Sequence, residues 1–438
     1  MNTTNSQVLY NKAKKIIPGA TQLLSKRAER FLPEYWPSYY KMAHGCEVWD
    51  IDGNHYYDFA TMGIGACALG YSDSDINKSV ISALESGSMC TLNCPEELEL
   101  AELLIHLHPW AEMVRYTRTG GEACSVAVRI ARAATNRSKV AFCGYHGWHD
   151  WYISSNLENS HNLDDQLLTN MSTLGVPKEL VGTAIPFKYN DPNSIKTVFD
   201  LYGDEIACII FEVQRGEVPN KNFLNTIQML AKKHGALIVC DEVTSGFRMN
   251  VGGIHLCHEF IPDIAVFGKT IANGIAMGAV IGKRSVMNYA EESFISSAFW
   301  SEKLGTVAAI ATIKKMLDVN LPKHLMNYGN KINSCWNRNA VKHGLKIKIS
   351  GIPPLTHLSF DYDNCEEIQT YYTQIMIEKG FLVGPSVYST YAYTDEILDM
   401  FDENTDYAFK KIRESINADY IPLISSIPRS DAFRRLVY

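Results

Sequence analysis

Short, wholly apolar runs that close on a glycine or a single charged residue constrain this chain more than any other feature. Val140–Cys143, Ala207–Phe211, Ala236–Cys240, Ile264–Phe267 and Gly278–Gly282 are each too short for a buried helix. Helical patterns stand among them, notably Ala123–Ala134 and Phe223–His234. A strand with one wet face alternates apolar and polar residues, whereas a run that is apolar throughout is covered on both faces. Such strands, alternating with helices, predict an α/β fold around a mostly parallel sheet. Ligands of parallel sheets sit beyond the carboxyl ends of the strands. Two of the runs end there on chemistry: one leads into Asp241, the other into Gly268-Lys269. Adjoining strands would then deliver one carboxylate and one amine into a single cleft.

A chain of 438 residues buries a large core and is expected to divide into more than one domain. The formal charge of −7, from 48 acidic and 41 basic residues, argues against general nucleic-acid binding. The opening Met1-Asn2-Thr3-Thr4-Asn5-Ser6-Gln7 is polar and lacks the apolar segment of a signal peptide. No run reaches the roughly 18 apolar residues of a membrane span, so no membrane partner is expected, while the cysteine pattern fits a cytoplasmic location. The 11 cysteines are an odd count, scattered through apolar segments, which predicts reduced core thiols. Cys90 and Cys94 have no second pair at zinc-finger spacing, so no metal site is expected there.

The rest of the chain supplies parts that suit the Asp241–Lys269 pair. Val8–Ile17 reads as a helix stopped by Pro18-Gly19, and Glu47–Phe59 as a hairpin about Asp52-Gly53. Glu96–Leu107 reads as an amphipathic helix. Met113–Thr117 is a strand, Arg118–Glu122 a turn, and the Ala123–Ala134 helix follows. A strand, a glycine pair and a helix start together form an anion site, because free N–H groups and the helix dipole face the turn. A tight connection holding nothing is the bland alternative, and the motif alone does not decide. Gly144-Tyr145-His146-Gly147-Trp148-His149-Asp150 follows the next strand, with aromatic and imidazole groups that can stack on a flat cofactor. Residues 151–190 read as a polar surface excursion. After residue 300 the pattern shifts to long helices with short strands at Gly351–Phe360 and Phe381–Val383. An amine that forms an imine and an acid that pairs with a pyridinium nitrogen are what pyridoxal phosphate chemistry requires.

In this order the motifs resemble the class III aminotransferases of the pyridoxal phosphate (PLP) fold-type I superfamily, of which the glutamate-1-semialdehyde aminomutases are a branch. Val48–Gly53 is similar to the family's N-terminal hairpin, and Gly120-Gly121-Glu122-Ala123 stands at its phosphate-cradling turn. Gly144–Asp150 resembles the loop whose aromatic covers the cofactor ring. Asp241–Arg248 resembles the pyridinium-aspartate signature, and Gly268-Lys269 the lysine site. The resemblance implies a large domain with a mostly parallel seven-stranded sheet over residues 61–299. It also implies a smaller α+β domain from residues 1–60 and 300–438. Lys269 would hold PLP as an imine and carry the proton between Cα and C4′. Asp241 would keep the ring nitrogen protonated, and Val243 and Tyr145 would pack on opposite ring faces beside His146. Gly120 and Gly121 would donate to the phosphate, and Glu212 would lie near the cofactor.

The implied activity is transfer of an amino group between an amino acid donor and an aldehyde or keto acceptor, in ping-pong half-reactions. Active sites shared across a homodimer are implied too. The chain departs from the family pattern at several points. Gly121 and Ala298 stand where hydroxyl residues donate to the phosphate, and Ser297 is the candidate substitute. Val213 replaces a proline after Glu212. Gly384–Ser389 lacks the glutamate of the aminomutase branch, which argues against a 2,1-amino shift, the alternative activity. A non-catalytic PLP-fold protein is the further alternative, opposed by the Lys269–Asp241 pair. Lys26 is the candidate for an anionic substrate group. Trp148, Asp150 and Ser297–Trp300 resemble the branch associated with surface-polysaccharide and nucleotide-sugar genes.

Overall fold

The computed structural model describes residues 2–431 other than 165, 167, 168 and 215. The chain forms two units, Ser74–Pro322 and a unit joining Met1–Asp73 to Lys323–Tyr438.

The Ser74–Pro322 unit is built on a seven-stranded sheet. Its strands in chain order are β1 (Met113–Thr117), β2 (Lys139–Cys143), β3 (Ala184–Pro186), β4 (Ile206–Phe211), β5 (Leu237–Asp241), β6 (Ile264–Phe267) and β7 (Gly278–Gly282). Their spatial order is β1-β7-β6-β5-β4-β2-β3. β7 runs antiparallel to both neighbours, and the pairs from β6 to β3 are parallel. Every residue of β4, β6 and β7 is buried, as their unbroken apolar runs require. Burying each large aliphatic side chain contributes roughly 1.5–3 kcal/mol. β3 escaped the sequence reading, because it has three residues and ends on Pro186, which confines it to the sheet edge.

Helix α1 (Gly120–Thr135) packs against this sheet through Ala123, Val126, Ala127, Ile130 and Ala131. It begins within the glycine pair itself, three residues before the predicted start. The cause is a capping box: Thr119 Oγ1 accepts from Glu122 N–H, and the Glu122 carboxylate accepts from Thr119 N–H. The predicted excursion at 151–190 is not a surface segment at its outset. Trp151–Asn156 are buried, because Trp151, Tyr152 and Ile153 join the core under the sheet. Asn polarity misled here: Asn156 is spent on internal hydrogen bonds to Met171 and Leu163.

In the other unit, Glu47–Asp50 and His55–Phe59 form the expected hairpin. The Asp50 carboxylate organises its turn by accepting from Asp52 and Asn54 N–H. Phe381–Val383 adds to it in parallel through the Tyr57–Phe59 edge. A three-stranded sheet of Ile347–Ser350, Leu355–Phe360 and Ser386–Tyr388 packs with helices Cys365–Glu378 and Asp395–Asn417 around Trp336, Tyr372 and Phe409. All 11 cysteines are free thiols. No described helix is long and apolar enough to cross a membrane.

Candidate active site

Strand register decides which side chains meet. Asp241 closes β5 opposite Val266 of β6, Phe211 closes β4 opposite Cys240, and Cys143 closes β2 opposite Phe211. Gly144, Glu212, Asp241 and Lys269 therefore leave the sheet at one carboxyl edge.

Asp241 is fully buried and densely held. Its Oδ1 accepts from Val243 N–H at 2.9 Å, and its Oδ2 lies 2.7 Å from His146 Nδ1 and 3.3 Å from Cys124 Sγ. Burial alone would raise this carboxyl. The hydrogen bond and charge of His146, helped by Val243 N–H and the Cys124 thiol, outweigh it and hold the pKa below the ordinary aspartate value. His146 is 1% exposed, and its Nε2 lies 3.2 Å from the Cys143 carbonyl. Both of its partners are acceptors, so both contacts are made together only when each ring nitrogen carries a hydrogen. Cys124, His146 and Asp241 bring three metal-ligand atoms within 4.8 Å of one another. A metal would need the thiolate. Burial and the Asp241 charge push the Cys124 thiol well above its usual pKa, so it remains a hydrogen-bond donor.

Lys269 Nζ donates to Thr244 Oγ1 at 2.8 Å. The lysine backbone is left-handed, with φ of 46°, a conformation that costs a non-glycine residue roughly 1–2 kcal/mol. The turn after β5 holds it there. Thr270 Oγ1 donates to the Gly246 carbonyl at 2.9 Å, and the buried Arg248 Nε donates to the Thr244 carbonyl at 2.7 Å. Beneath this turn lies Glu242, fully buried. It accepts from Ser245 Oγ, from Ile254 and His255 N–H, and from His255 Nδ1. Burial opposes its ionisation, but His255 and Ser245 prevail and hold its pKa low.

Gly120 and Gly121 open α1, and the capping box of Thr119 and Glu122 engages neither of their N–H groups. A Cβ on Gly120 would lie 2.5 Å from Val243 Cγ1, and one on Gly121 would lie 3.2 Å from His149 Cε1. Tyr145 and Val243 are partly exposed while packing against the core beneath. Tyr145 N–H approaches Glu212 Oε2 at 3.4 Å, and a Cβ on Gly144 would meet the same oxygen at 2.9 Å. The structure thus brings together Lys269, Asp241, His146, Val243, Gly120, Gly121, Tyr145 and Glu212 along one edge of one unit. Ser297 is exposed beside the short turn Ala298–Ser301 and caps nothing. Lys26 is exposed in the turn Leu24–Lys26 of the other unit.

Sequence reasoning missed Thr244 and Cys124. Thr244 lies within the signature that begins at Asp241, and its hydroxyl was the available signal. Cys124 carried none, because a cysteine on the apolar face of a helix is ordinarily core.

The residues present suit a phosphorylated pyridine aldehyde. An ionised buried carboxylate suits a protonated ring nitrogen, an amine leaves the neighbouring strand, and the first-turn N–H groups of a helix suit a phosphate.

Comparison with known proteins agrees. The sequence profile described as "Aminotransferase class-III" matches residues 33–414. The chain is 30% identical to 3-aminobutyryl-CoA aminotransferase of Cloacimonas acidaminovorans, covering 95% of this chain and 97% of that protein. It is 30% identical to glutamate-1-semialdehyde 2,1-aminomutase of Methanocaldococcus jannaschii, covering 90% and 95%. Among solved structures it is similar to the PLP internal aldimine form of FumI from Sphingopyxis sp. MTA144, with a TM-score of 0.86, 24% identity, and coverage of 95% and 98%. It is also similar to an omega-transaminase from Sphaerobacter thermophilus, with a TM-score of 0.82, 22% identity, and coverage of 93% and 98%. The parallel sheet, the paired acid and amine at its edge, and a match spanning most of its length have one reading: this chain belongs to the class III aminotransferases, PLP-dependent transaminases of fold type I.

Proposed function

We propose that Lys269 and Asp241 are the catalytic residues of this aminotransferase, and that it moves an amino group between an amino acid and an aldehyde or keto compound in two half-reactions. The observation that carries this assignment is the register of β5 against β6. It sets Asp241 opposite Val266, three residues before Lys269, and so opens both side chains at one sheet edge.

PLP, when bound, supplies a carbonyl that captures an amine and a pyridinium ring that takes up the electron pair left when the substrate Cα proton departs. The remaining work belongs to the protein. The Asp241 carboxylate, ionised and oriented by His146 and Val243, holds a proton at the ring nitrogen. Lys269 Nζ, steered by Thr244 Oγ1, is the amine that attaches the cofactor and moves the proton at Cα. Val243 and Tyr145 confine the ring, Glu212 lies beside Tyr145, and the first-turn N–H groups of Gly120 and Gly121 bind the phosphate. The donor is an amino acid and the acceptor a small carbonyl compound. Lys26 is proposed to meet an anionic substrate group.

A homodimer with shared sites is proposed, as the family resemblance implies, with Ser297 reaching the cofactor phosphate of the partner's site. Support comes from its exposed apolar surroundings: Phe294 is 85% exposed and Phe299 67%. A cytoplasmic location accords with the free cysteines.

The test is spectroscopic. The purified protein should absorb in the visible, Lys269→Ala should abolish that band, and an amino donor alone should bleach it with release of one keto acid. A band that survives in Lys269→Ala refutes the lysine assignment. Rearrangement of an amino-aldehyde without release of any keto acid would favour the amino-shift alternative.

A further inference from the structure

The phosphate turn of this chain lacks a side-chain donor at Gly121, yet the space beside Gly121 is filled. The imidazole of His149 occupies it: a Cβ at position 121 would meet His149 Cε1 at 3.2 Å and Nδ1 at 3.3 Å. Three features put the ring there. Gly147 faces Gly121 so closely that a Cβ on Gly147 would lie 3.0 Å from Gly121 Cα. The His149 carbonyl accepts from Tyr152 and Ile153 N–H, which fixes the backbone that carries the ring. Trp151 Nε1 donates to Ser125 Oγ of α1 at 3.0 Å, fastening the following turn to the helix. Trp148 stacks on the imidazole at 4.5 Å and covers one ring face.

The ring is thus placed with care, but its Nδ1 is buried and has no hydrogen-bond partner among the described residues. A buried ring nitrogen left unpaired is costly, roughly 1–3 kcal/mol. The missing partner adjoins the start of a 16-residue helix, where an anion is favoured.

We propose that His149 is a further cofactor-phosphate residue, whose buried Nδ1–H supplies the hydrogen bond that a hydroxyl side chain at position 121 would otherwise give. The inference rests on the PLP reading of the site. Glycine at 121 and histidine at 149 are then two halves of one exchange: the backbone gives up a side chain, and the next loop delivers a ring into the vacated space. Burial lowers the His149 pKa, against the carboxylates of Glu122 and Asp150, and an anion facing Nδ1 selects the ring form that carries a hydrogen on that nitrogen.

The experiment compares PLP with phosphate-free pyridoxal. In the wild-type protein with isotope-labelled histidine, the His149 Nδ1 resonance should move on loading with PLP and stay in place with pyridoxal. By visible absorbance, His149→Ala should weaken PLP binding roughly tenfold to a hundredfold, the worth of a hydrogen bond to a charged group. Pyridoxal binding should change less than about twofold, a difference too small to be a lost hydrogen bond. Gly121→Ser should weaken PLP binding in the wild-type background, where the ring blocks the new side chain, and strengthen it in the His149→Ala background. That reversal of sign is not expected of a residue that only packs. Equal losses for PLP and pyridoxal, or a resonance unmoved by PLP, overturn the role of His149. A wild-type protein that binds neither compound overturns the cofactor reading instead. The resonance shift needs no variant, so a His149→Ala protein that fails to fold does not remove the test.

Discussion

His146 Nδ1 lies 2.7 Å from Oδ2 of Asp241, and neither side chain reaches solvent appreciably. The imidazole is a support under the carboxylate. It leaves the carboxylate ionised in surroundings that would otherwise favour the neutral acid. His146→Ala should therefore raise the Asp241 pKa. Activity that needs the ionised acid is lost as pH falls through that pKa, so the acid limb of the pH–rate profile should move to higher pH. Stability at neutral pH should fall by roughly 3–5 kcal/mol, as for a buried pair that loses one member. An unmoved acid limb in His146→Ala would sink this account.

Lys269→Ala should reduce turnover by on the order of 10³-fold or more, as for other covalently acting residues, while folding is retained. The lysine makes its described hydrogen bond to a threonine hydroxyl and carries a left-handed backbone that alanine must also adopt. Lys269→Gly, which adopts that backbone freely, should melt at or above the temperature of Lys269→Ala in the absence of cofactor. Thermal melts of the two apo-proteins decide the point.

Thr244→Val removes the acceptor for Lys269 Nζ and keeps the shape of the side chain. The cofactor should still bind and still absorb. Turnover should drop by roughly tenfold, the worth of one hydrogen bond. A variant that loses the cofactor altogether would show that Thr244 does more than steer the amine.

Glu242 is a structural anion, and its variant should behave differently from Asp241→Asn. Its folded pKa is lowered, so it adds stability above the unfolded value of about 4.3 and loses that contribution as pH falls through the folded value. Glu242→Gln should lower stability at neutral pH by roughly 1–3 kcal/mol, because His255 Nδ1 and two backbone N–H groups lose a charged acceptor. Its stability should also depend less steeply on pH through the acid range. Urea titrations at several pH values check both effects.

Gly120→Ala should weaken cofactor binding with little loss of secondary structure. The added methyl would lie 2.5 Å from Val243 Cγ1, so the side chain proposed to confine the ring must move. Overpacking of this kind costs roughly 1–3 kcal/mol. Cofactor affinity measured by absorbance, beside a far-ultraviolet spectrum, separates the local effect from misfolding.

What the sequence disclosed follows from where local patterns decide the outcome. The runs ending at Cys143, Phe211, Cys240 and Phe267 were legible because burial on both faces leaves no polar positions in a strand. Asp241 and Lys269 could be read because each lies just past such a run. β3 could not be read, since three residues ending on proline leave no periodic signal. The start of α1 was misplaced because glycine propensity argues against helix, while the Thr119–Glu122 box settles the matter. The pairing of His146 with Asp241 joins residues 95 apart in sequence, and the approach of His149 to Gly121 joins a loop to the first turn of α1. Only the fold brings such groups together.

Asp241 and Glu242 are chain neighbours, both buried and both with lowered pKa, yet one is proposed to serve the chemistry and the other braces a turn. Consecutive side chains leave an extended chain on opposite faces. The pairing of Asp241 with Val266 is therefore what allots these acids their jobs. Slide this strand by a single position and glutamate would confront the cleft while aspartate faced His255. A sheet alignment, more than the choice of either acid, determines which carboxylate faces the cleft.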